Sequence, residues 1–148
     1  MQILFDHQIQ LNASLDKVWE VLCSADQRKH WQIGIEDAKL LYGSEGYRGS
    51  KVELTLAPSG KKVIEHVHRS RPLERLQTQF QLGDCGYQQI IYLTRTDEDV
   101  TQLTYHCKQE LASGWKRLLS LQPSVPNCVK PEIFESLAKY LATSASVA

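Results

Sequence analysis

Two histidines separated by one residue are the most suggestive chemical feature of this 148-residue sequence. In residues 65–68, a β-strand would point His66 and His68 to the same side, at a spacing that suits a shared metal ion. His7 and His106 are candidate third ligands on other strands. However, no acidic or cysteine side chain falls in register with the pair, and basic residues surround it. We therefore predict a solvated strand face and no metal site.

Glu65 is a second candidate for chemistry. If Val63 and Val67 face the interior of a sheet, strand alternation places Glu65 on the interior side as well. A carboxyl group in such a position can act as a general acid or base. The alternative is a structural carboxylate paired with a neighbouring Lys or Arg, which is the more common case.

Tyr105 shares a strand face with Leu103 and Cys107, so its hydroxyl group is expected to point inward. A buried tyrosine needs a polar partner, either a ligand or a group of the core. Glu65, His66 and Tyr105 are therefore the candidate catalytic residues. Motifs for a serine nucleophile, a P-loop or a dinucleotide site are missing from the sequence.

The three tryptophans are candidate pocket residues. Trp19 falls on a helical apolar stripe and is expected to be core. Trp31 and Trp115 fall at the ends of predicted elements, where pocket mouths form, so they are the better ligand candidates.

Composition limits the class of protein. The 17 Lys and Arg residues balance 17 Asp and Glu residues, which argues against a nucleic-acid binder. The length suits one domain, residues 1–148, and no apolar segment is long enough to span a bilayer or act as a signal peptide. The four cysteines are widely spaced and include no Cys-x-x-Cys pair, so we expect free thiols in a reducing cytoplasm.

The first third of the chain predicts a strand followed by two short helices. Residues 2–11 alternate between apolar and polar, as a half-buried strand does. The apolar residues from Leu15 to Leu22 have helical spacing, and Ser14 can cap that helix. Residues 24–27 form a capping box that begins a second helix, which should end near Trp31.

A meander of strands follows. Six strands are predicted at 39–42, 51–56, 61–69, 76–82, 87–95 and 100–111, joined by short polar turns. Such turns imply antiparallel pairing.

The last third predicts helix again. A first segment is predicted around Trp115 and Leu118, and three prolines between residues 123 and 131 then interrupt it. A last helix is predicted from Pro131 through Leu141, with residues 143–148 frayed. One long helix cannot cover both faces of a six-strand meander, so we expect a strongly curved sheet that grips it.

Three stretches of the sequence resemble the START-like superfamily, also called SRPBCC. Residues 12–22, with their Val-Trp pair and a later Trp31, look like its opening signature. Residues 69–76 resemble the strand that ends in Arg-x-Pro-Leu-x-x-Leu, and residues 137–141 resemble the usual end of its long helix. The resemblance implies an α+β helix-grip fold with a cavity for an apolar or amphipathic small molecule. The prolines depart from the family's usually continuous C-terminal helix.

The leading hypothesis is binding of a hydrophobic or amphipathic small molecule, such as a lipid, polyketide or isoprenoid-like compound, without a cofactor. The predicted ligand-binding residues are Trp31, Leu54, Leu56, Phe80, Tyr105, Trp115, Leu118 and Phe134. One alternative is a cyclase or dehydratase that uses Glu65 or a histidine with Tyr105. Another is a protein-interaction module, with a protein partner or a homodimer. Residues 120–131 are either a lid or a rigid connector.

Overall fold

Seven β-strands and three α-helices make up the part of the chain that the structure, a computed structural model, describes: residues 1–111 and 125–146. In chain order the elements are β1 (Gln2–Leu11), α1 (Leu15–Cys23), α2 (Ala25–Trp31), β2 (Ile35–Tyr42), β3 (Lys51–Leu56), β4 (Lys62–Arg71), β5 (Arg75–Leu82), β6 (Cys85–Asp97), β7 (Val100–Leu111), a 3-10 turn (Asn127–Val129) and α3 (Glu132–Ser146). The helical segment predicted around Trp115 and Leu118 lies outside the described residues.

The strands form one curved antiparallel sheet in the order β1-β7-β6-β5-β4-β3-β2. Consecutive strands from β2 to β7 are neighbours, as the predicted meander requires. The first strand then pairs with the last, so that Gln2 lies opposite Gln109 and Leu11 opposite Thr101. The predicted α+β helix-grip class is confirmed.

The pairing between β4 and β5 begins at the turn that joins them and stops before the far end of each strand. It runs from Arg71 opposite Arg75 to His66 opposite Gln79. Beyond that point, residues 62–65 pair with β3 alone among the described strands. The end of β5 likewise pairs with β6 alone. The sheet is therefore split between β4 and β5 at this end.

Both N-terminal helices begin at side-chain caps, but only one cap is the predicted one. The Ser14 hydroxyl group accepts the Lys17 N–H at 3.3 Å, as predicted for α1. The capping box predicted for α2 is wrong, because the Ser24 side chain makes no cap hydrogen bond. Instead, the Ala25 N–H donates to the carboxylate of Glu45 in the β2–β3 loop. A carboxylate suits the positive end of a helix better than a hydroxyl group does.

Several element boundaries also differ from the prediction, most of all the start of β2 and the end of α3. β2 begins at Ile35 rather than at residue 39. A shift in register between Ile35 and Asp37 breaks the alternation there, so the apolar pattern did not reveal the strand. The fraying predicted for residues 143–148 is wrong for 143–146, since α3 continues to Ser146, and residues 147–148 lie outside the described residues. The Thr143 hydroxyl group donates to the Lys139 carbonyl at 3.0 Å in this last part.

The core lies between the sheet and the helices. Ile133, Phe134, Leu137 and Leu141 of α3 are all buried, which matches the predicted apolar stripe. The Phe134 ring lies 4.6 Å from the Tyr105 ring, between centroids. Among the described residues, no helix is long and apolar enough to cross a membrane.

Candidate functional site

A pocket of about 460 Å³ opens where β4 and β5 are split. Its volume falls in the range of small-molecule sites. Its lining mixes apolar and polar residues. The apolar ones and a glycine are Met1, Val63, Ile64, Phe80, Gly86 and Tyr87 (whose ring also carries a hydroxyl group), and the polar and charged ones are Lys62, His66, Gln79, Gln81 and Glu110. Side chains from both faces of the sheet reach it because the strands do not pair there. The split therefore produces an opening toward the interior.

An aromatic pair is part of the lining of this pocket. Phe80 and Tyr87 lie directly opposite each other on β5 and β6, and their ring centroids are 5.3 Å apart at an angle of 29°. Both residues are buried. The Tyr87 hydroxyl group accepts a hydrogen bond from Gln109 Nε2 at 3.2 Å. Burial raises the pKa of Tyr87 to about 12, so this part of the lining is uncharged at neutral pH.

The lining of the pocket carries charges of both signs. Lys62 Nζ lies 3.4 Å from Glu53 Oε1 in an exposed ion pair. The side chains of His66 and Glu110 are exposed beside it. A lining that contains both apolar and charged side chains suits a molecule that has one apolar and one polar end.

Glu65 points to the other side of β4, into the interior, and is paired there. Its carboxylate accepts two hydrogen bonds from Arg28, at 3.0 Å from Nη1 and 2.9 Å from Nη2. Burial alone would lower the pKa of Arg28, but the charge and hydrogen bonds of Glu65 raise it above its ordinary value. The structural alternative for Glu65 is therefore the one observed, with its partner on α2 rather than on a neighbouring strand.

The same guanidinium group continues the network toward the C-terminal region. Arg28 Nε donates to Gln32 Oε1 at 2.6 Å. Gln32 Nε2 in turn donates to the backbone carbonyl of Cys128 at 2.9 Å. These contacts fix the 3-10 turn against α2.

Tyr105 is also satisfied by the protein. Its hydroxyl group donates to the Val129 carbonyl at 2.7 Å and accepts from Gln89 Nε2 at 2.9 Å. Burial raises the pKa of Tyr105 well above its ordinary value, so the hydroxyl group stays protonated. Of the two outcomes predicted for a buried tyrosine, the structure shows a core partner.

A cavity of about 20 Å³ lies directly beneath α3, with room for about one water molecule. Its walls include Arg28, Trp31, Glu65, Gln89 and Phe134. The larger cavity expected between the sheet and the last helix stays a prediction, because Leu118, one of its expected lining residues, lies outside the described residues.

The structure thus separates the predicted site residues into groups. Phe80 and His66 line the larger pocket, whereas Trp31, Glu65 and Phe134 line the small cavity. Leu54, Leu56 and Tyr105 are buried but line neither of the two. Trp115 and Leu118 lie outside the described residues.

Three important residues escaped the sequence analysis. Arg28 and Gln32 follow Ala25 at helical spacing, so the buried face of α2 could have indicated them. Tyr87 lies opposite Phe80 in the β5–β6 hairpin, and correct strand register would have paired the two. To use either pattern, one must already know which face of α2 packs on the sheet, or which residues of β5 and β6 are paired.

Residues 120–131 were predicted to be a lid or a connector. The described part begins at Val125, and residues 120–124 lie outside it. Cys128 and Val129 are buried, and the side chains of Gln32 and Tyr105 hold their carbonyl groups. This part of the segment has the contacts expected of a connector.

Comparison with known proteins yields structural matches but no sequence family. No family profile matches the chain, and no curated protein does. A START superfamily protein from Mycobacterium smegmatis is similar over 99% of both chains, with a TM-score of 0.70 and 15% identity. A point mutant of norcoclaurine synthase from Thalictrum flavum, solved with a transition-state analogue, is similar over 98% of this chain and 99% of its own, with a TM-score of 0.66 and 15% identity.

A third similar structure is DynU16, a protein of the dynemicin biosynthetic locus. It matches 94% of this chain over 47% of its own length, with a TM-score of 0.65 and 18% identity. The TM-scores show a shared fold, and a shared fold by itself does not assign a function. The protein has the helix-grip fold of the START-like superfamily, as its sequence motifs predicted.

Proposed function

We propose that the protein binds an amphipathic small molecule in the pocket at the split between β4 and β5. The observation that carries this proposal is a pocket of about 460 Å³ whose lining includes both the Phe80–Tyr87 aromatic pair and the charged residues Lys62 and Glu110. The apolar part of the ligand would lie against the two rings, where removal from water supplies the binding free energy. The polar end would remain among Lys62, His66 and Glu110.

The enzyme alternative has less support from the interior. A cyclase or dehydratase that used Glu65 and Tyr105 would need them free to exchange protons with a substrate. Glu65 is held by two hydrogen bonds from Arg28, and the Tyr105 hydroxyl group has two protein partners. Non-covalent binding requires neither group, so these contacts favour a carrier.

The interaction-module alternative is also weaker. Exposed apolar side chains occur near β2, at Ile33, Leu41, Tyr42 and Tyr47. A formed pocket of ligand size elsewhere in the molecule gives the binding hypothesis the more specific support.

The four cysteines are all free, which fits a protein of a reducing compartment such as the cytoplasm.

Titration with a fluorescent amphiphile tests the proposal. We expect 1-anilinonaphthalene-8-sulfonate to bind the wild-type protein saturably at one site. Phe80→Leu should weaken this binding about three- to tenfold, because it removes one ring of the aromatic pair. The matched control is Leu54→Val, since Leu54 is fully buried and lines neither pocket.

Native mass spectrometry of freshly purified protein can detect a natural ligand that co-purifies with it, by the added mass. A bound small molecule that is released more readily by Phe80→Leu than by Leu54→Val would support the proposal. Equal binding of the probe by both variants, with both folded, would reject this pocket as the site.

A further inference from the structure

Trp31, which lines the cavity of about 20 Å³ beneath α3, has an indole N–H group without a partner among the described residues. Trp31 is only 4% exposed. Its Nε1 atom is buried without a hydrogen-bond partner in the described part of the chain. An unpaired buried donor costs about 1–3 kcal/mol, so such groups are normally satisfied by protein or by an ordered water molecule.

Two hydrogen-bond acceptors line the same cavity. The Tyr105 hydroxyl group gives its only proton to the Val129 carbonyl, so it accepts from Gln89 Nε2, and the carbonyl oxygen of Gln89 is left as an acceptor. Each carboxylate oxygen of Glu65 accepts one hydrogen bond from Arg28 and retains capacity for another. Gln89 and Glu65 both line the cavity.

We propose that this cavity holds one internal water molecule. The water accepts a hydrogen bond from Trp31 Nε1 and donates to Gln89 Oε1 and to the Glu65 carboxylate. Three polar partners and a volume of about 20 Å³ are what a buried water requires. A ligand larger than water has no room there without movement of α3.

The water would join two networks that are otherwise separate. One runs from Glu65 through Arg28 and Gln32 to the Cys128 carbonyl. The other runs from Gln89 through Tyr105 to the Val129 carbonyl. With the water in place, the 3-10 turn is tied to α2, β4 and β7 by one continuous set of hydrogen bonds. This inference does not depend on the proposed ligand pocket.

Proton NMR of protein carrying ¹⁵N-labelled tryptophan, in ordinary water, tests the proposal. We expect the Trp31 Hε1 signal, identified by its loss in Trp31→Phe, to show a direct cross-peak to water with the sign of a long-lived bound molecule. Sequential assignment of the wild-type spectrum serves if that variant does not fold.

Thr78 also lines the cavity, and its exchanging hydroxyl proton could imitate a water contact. The variant Thr78→Val keeps the side-chain shape and removes that proton. Persistence of the cross-peak in Thr78→Val supports the water. Its loss there, or its absence from the wild-type spectrum, overturns the proposal, as would a crystal structure in which Trp31 Nε1 donates to a protein acceptor.

Discussion

The guanidinium group of Arg28 meets the carboxylate of Glu65 in a two-point ion pair buried beneath the helices, with nitrogen–oxygen distances of 3.0 and 2.9 Å. The pair joins α2 to the interior face of β4, across 37 positions of sequence. Removing two charges from water is costly, and close two-point geometry is what offsets that cost. The pair is therefore a structural link that fails if either charge is removed alone.

Glu65→Leu should lower the free energy of unfolding by about 3–5 kcal/mol, because it leaves the Arg28 charge buried without a partner. Urea denaturation measures the change. Adding Arg28→Met to this variant should recover much of the loss, since no unpaired charge then remains. The matched control is Glu74→Ala, which removes the exposed Arg71–Glu74 pair and should change the free energy by less than about 1 kcal/mol. Equal losses in Glu65→Leu and Glu74→Ala would contradict the role given to the buried pair.

Tyr105→Phe should lower the free energy of unfolding by about 2–4 kcal/mol, because it leaves both the Val129 carbonyl and the Gln89 amide without their partner. Tyr140→Phe is the control, since the Tyr140 hydroxyl group donates at 2.9 Å to Gln27 in a partly buried site that water can reach. We expect that variant to lose about 1 kcal/mol or less. A Tyr105→Phe variant as stable as the wild type would show that the hydroxyl group does not anchor the 3-10 turn.

The buried thiols should be nearly inert in the folded protein. Burial raises the pKa of Cys23 to about 12, that of Cys107 to about 11 and that of Cys128 to about 12. Reaction with Ellman's reagent at pH 8 requires a thiolate, which is about one in ten thousand molecules for a thiol of pKa 12. We expect rapid reaction of four thiols in guanidinium chloride and at least a hundredfold slower reaction of these three without it.

The raised pKa values of these thiols also predict that the free energy of unfolding decreases at alkaline pH. In the unfolded chain they ionise near pH 8.5, whereas in the folded protein they resist ionisation until about pH 11–12. Their contribution to stability is thus complete below about pH 8.5 and declines as the pH rises toward the folded values. Urea midpoints measured from pH 8 to pH 10.5 should fall, and Cys107→Ala should reduce the slope. A flat profile would contradict the raised pKa values.

Gly46→Ala should destabilise the protein more than Gly60→Ala. Both glycines have positive φ, +80° and +74°, so an alanine at either position carries backbone strain of about 1 kcal/mol. At Gly46, however, the added Cβ would lie 2.5 Å from Cys23 Sγ, whereas nothing lies within 4 Å at Gly60. Thermal denaturation measures the melting temperatures of the two variants. Because both have the backbone strain, the difference between them reports the steric clash at Gly46. Equal melting temperatures would show that the β2–β3 loop shifts away from α1 at little cost.

The fold could be predicted from the sequence where side chains alternate without interruption. Residues 51–56 and 100–111 have a clean two-residue period, and the structure has strands at those positions. Ile35 and Ala38 are both buried but lie three residues apart, because the register shifts between Ile35 and Asp37. A bulge of this kind removes the periodicity on which the prediction depends.

The candidate site was less predictable, because it depends on contacts between distant elements. The inward direction of Glu65 followed from alternation on β4, but its partner Arg28 comes from a helix 37 residues earlier. The pocket exists because β4 and β5 stop pairing at His66 and Gln79, and nothing in the local sequence marks that point. The sequence therefore predicts that Phe80 is buried, but it does not predict that Phe80 lines a pocket at the split.

The pairing of β1 with β7 also affects how the chain reaches its native state. Gln2 and Gln109 are opposite each other although 106 residues separate them, so the sheet cannot close until the last strand is available. During synthesis β1 has no strand to pair with while β2 to β6 assemble, each beside its neighbour in sequence. Pairing of such distant residues has a large entropy cost of loop closure, which slows folding. The pairing of β1 with β7 should therefore be the step that limits the folding rate. A nascent chain that ends before β7 would expose two unpaired edges, those of β1 and β6, which are templates for association with other chains.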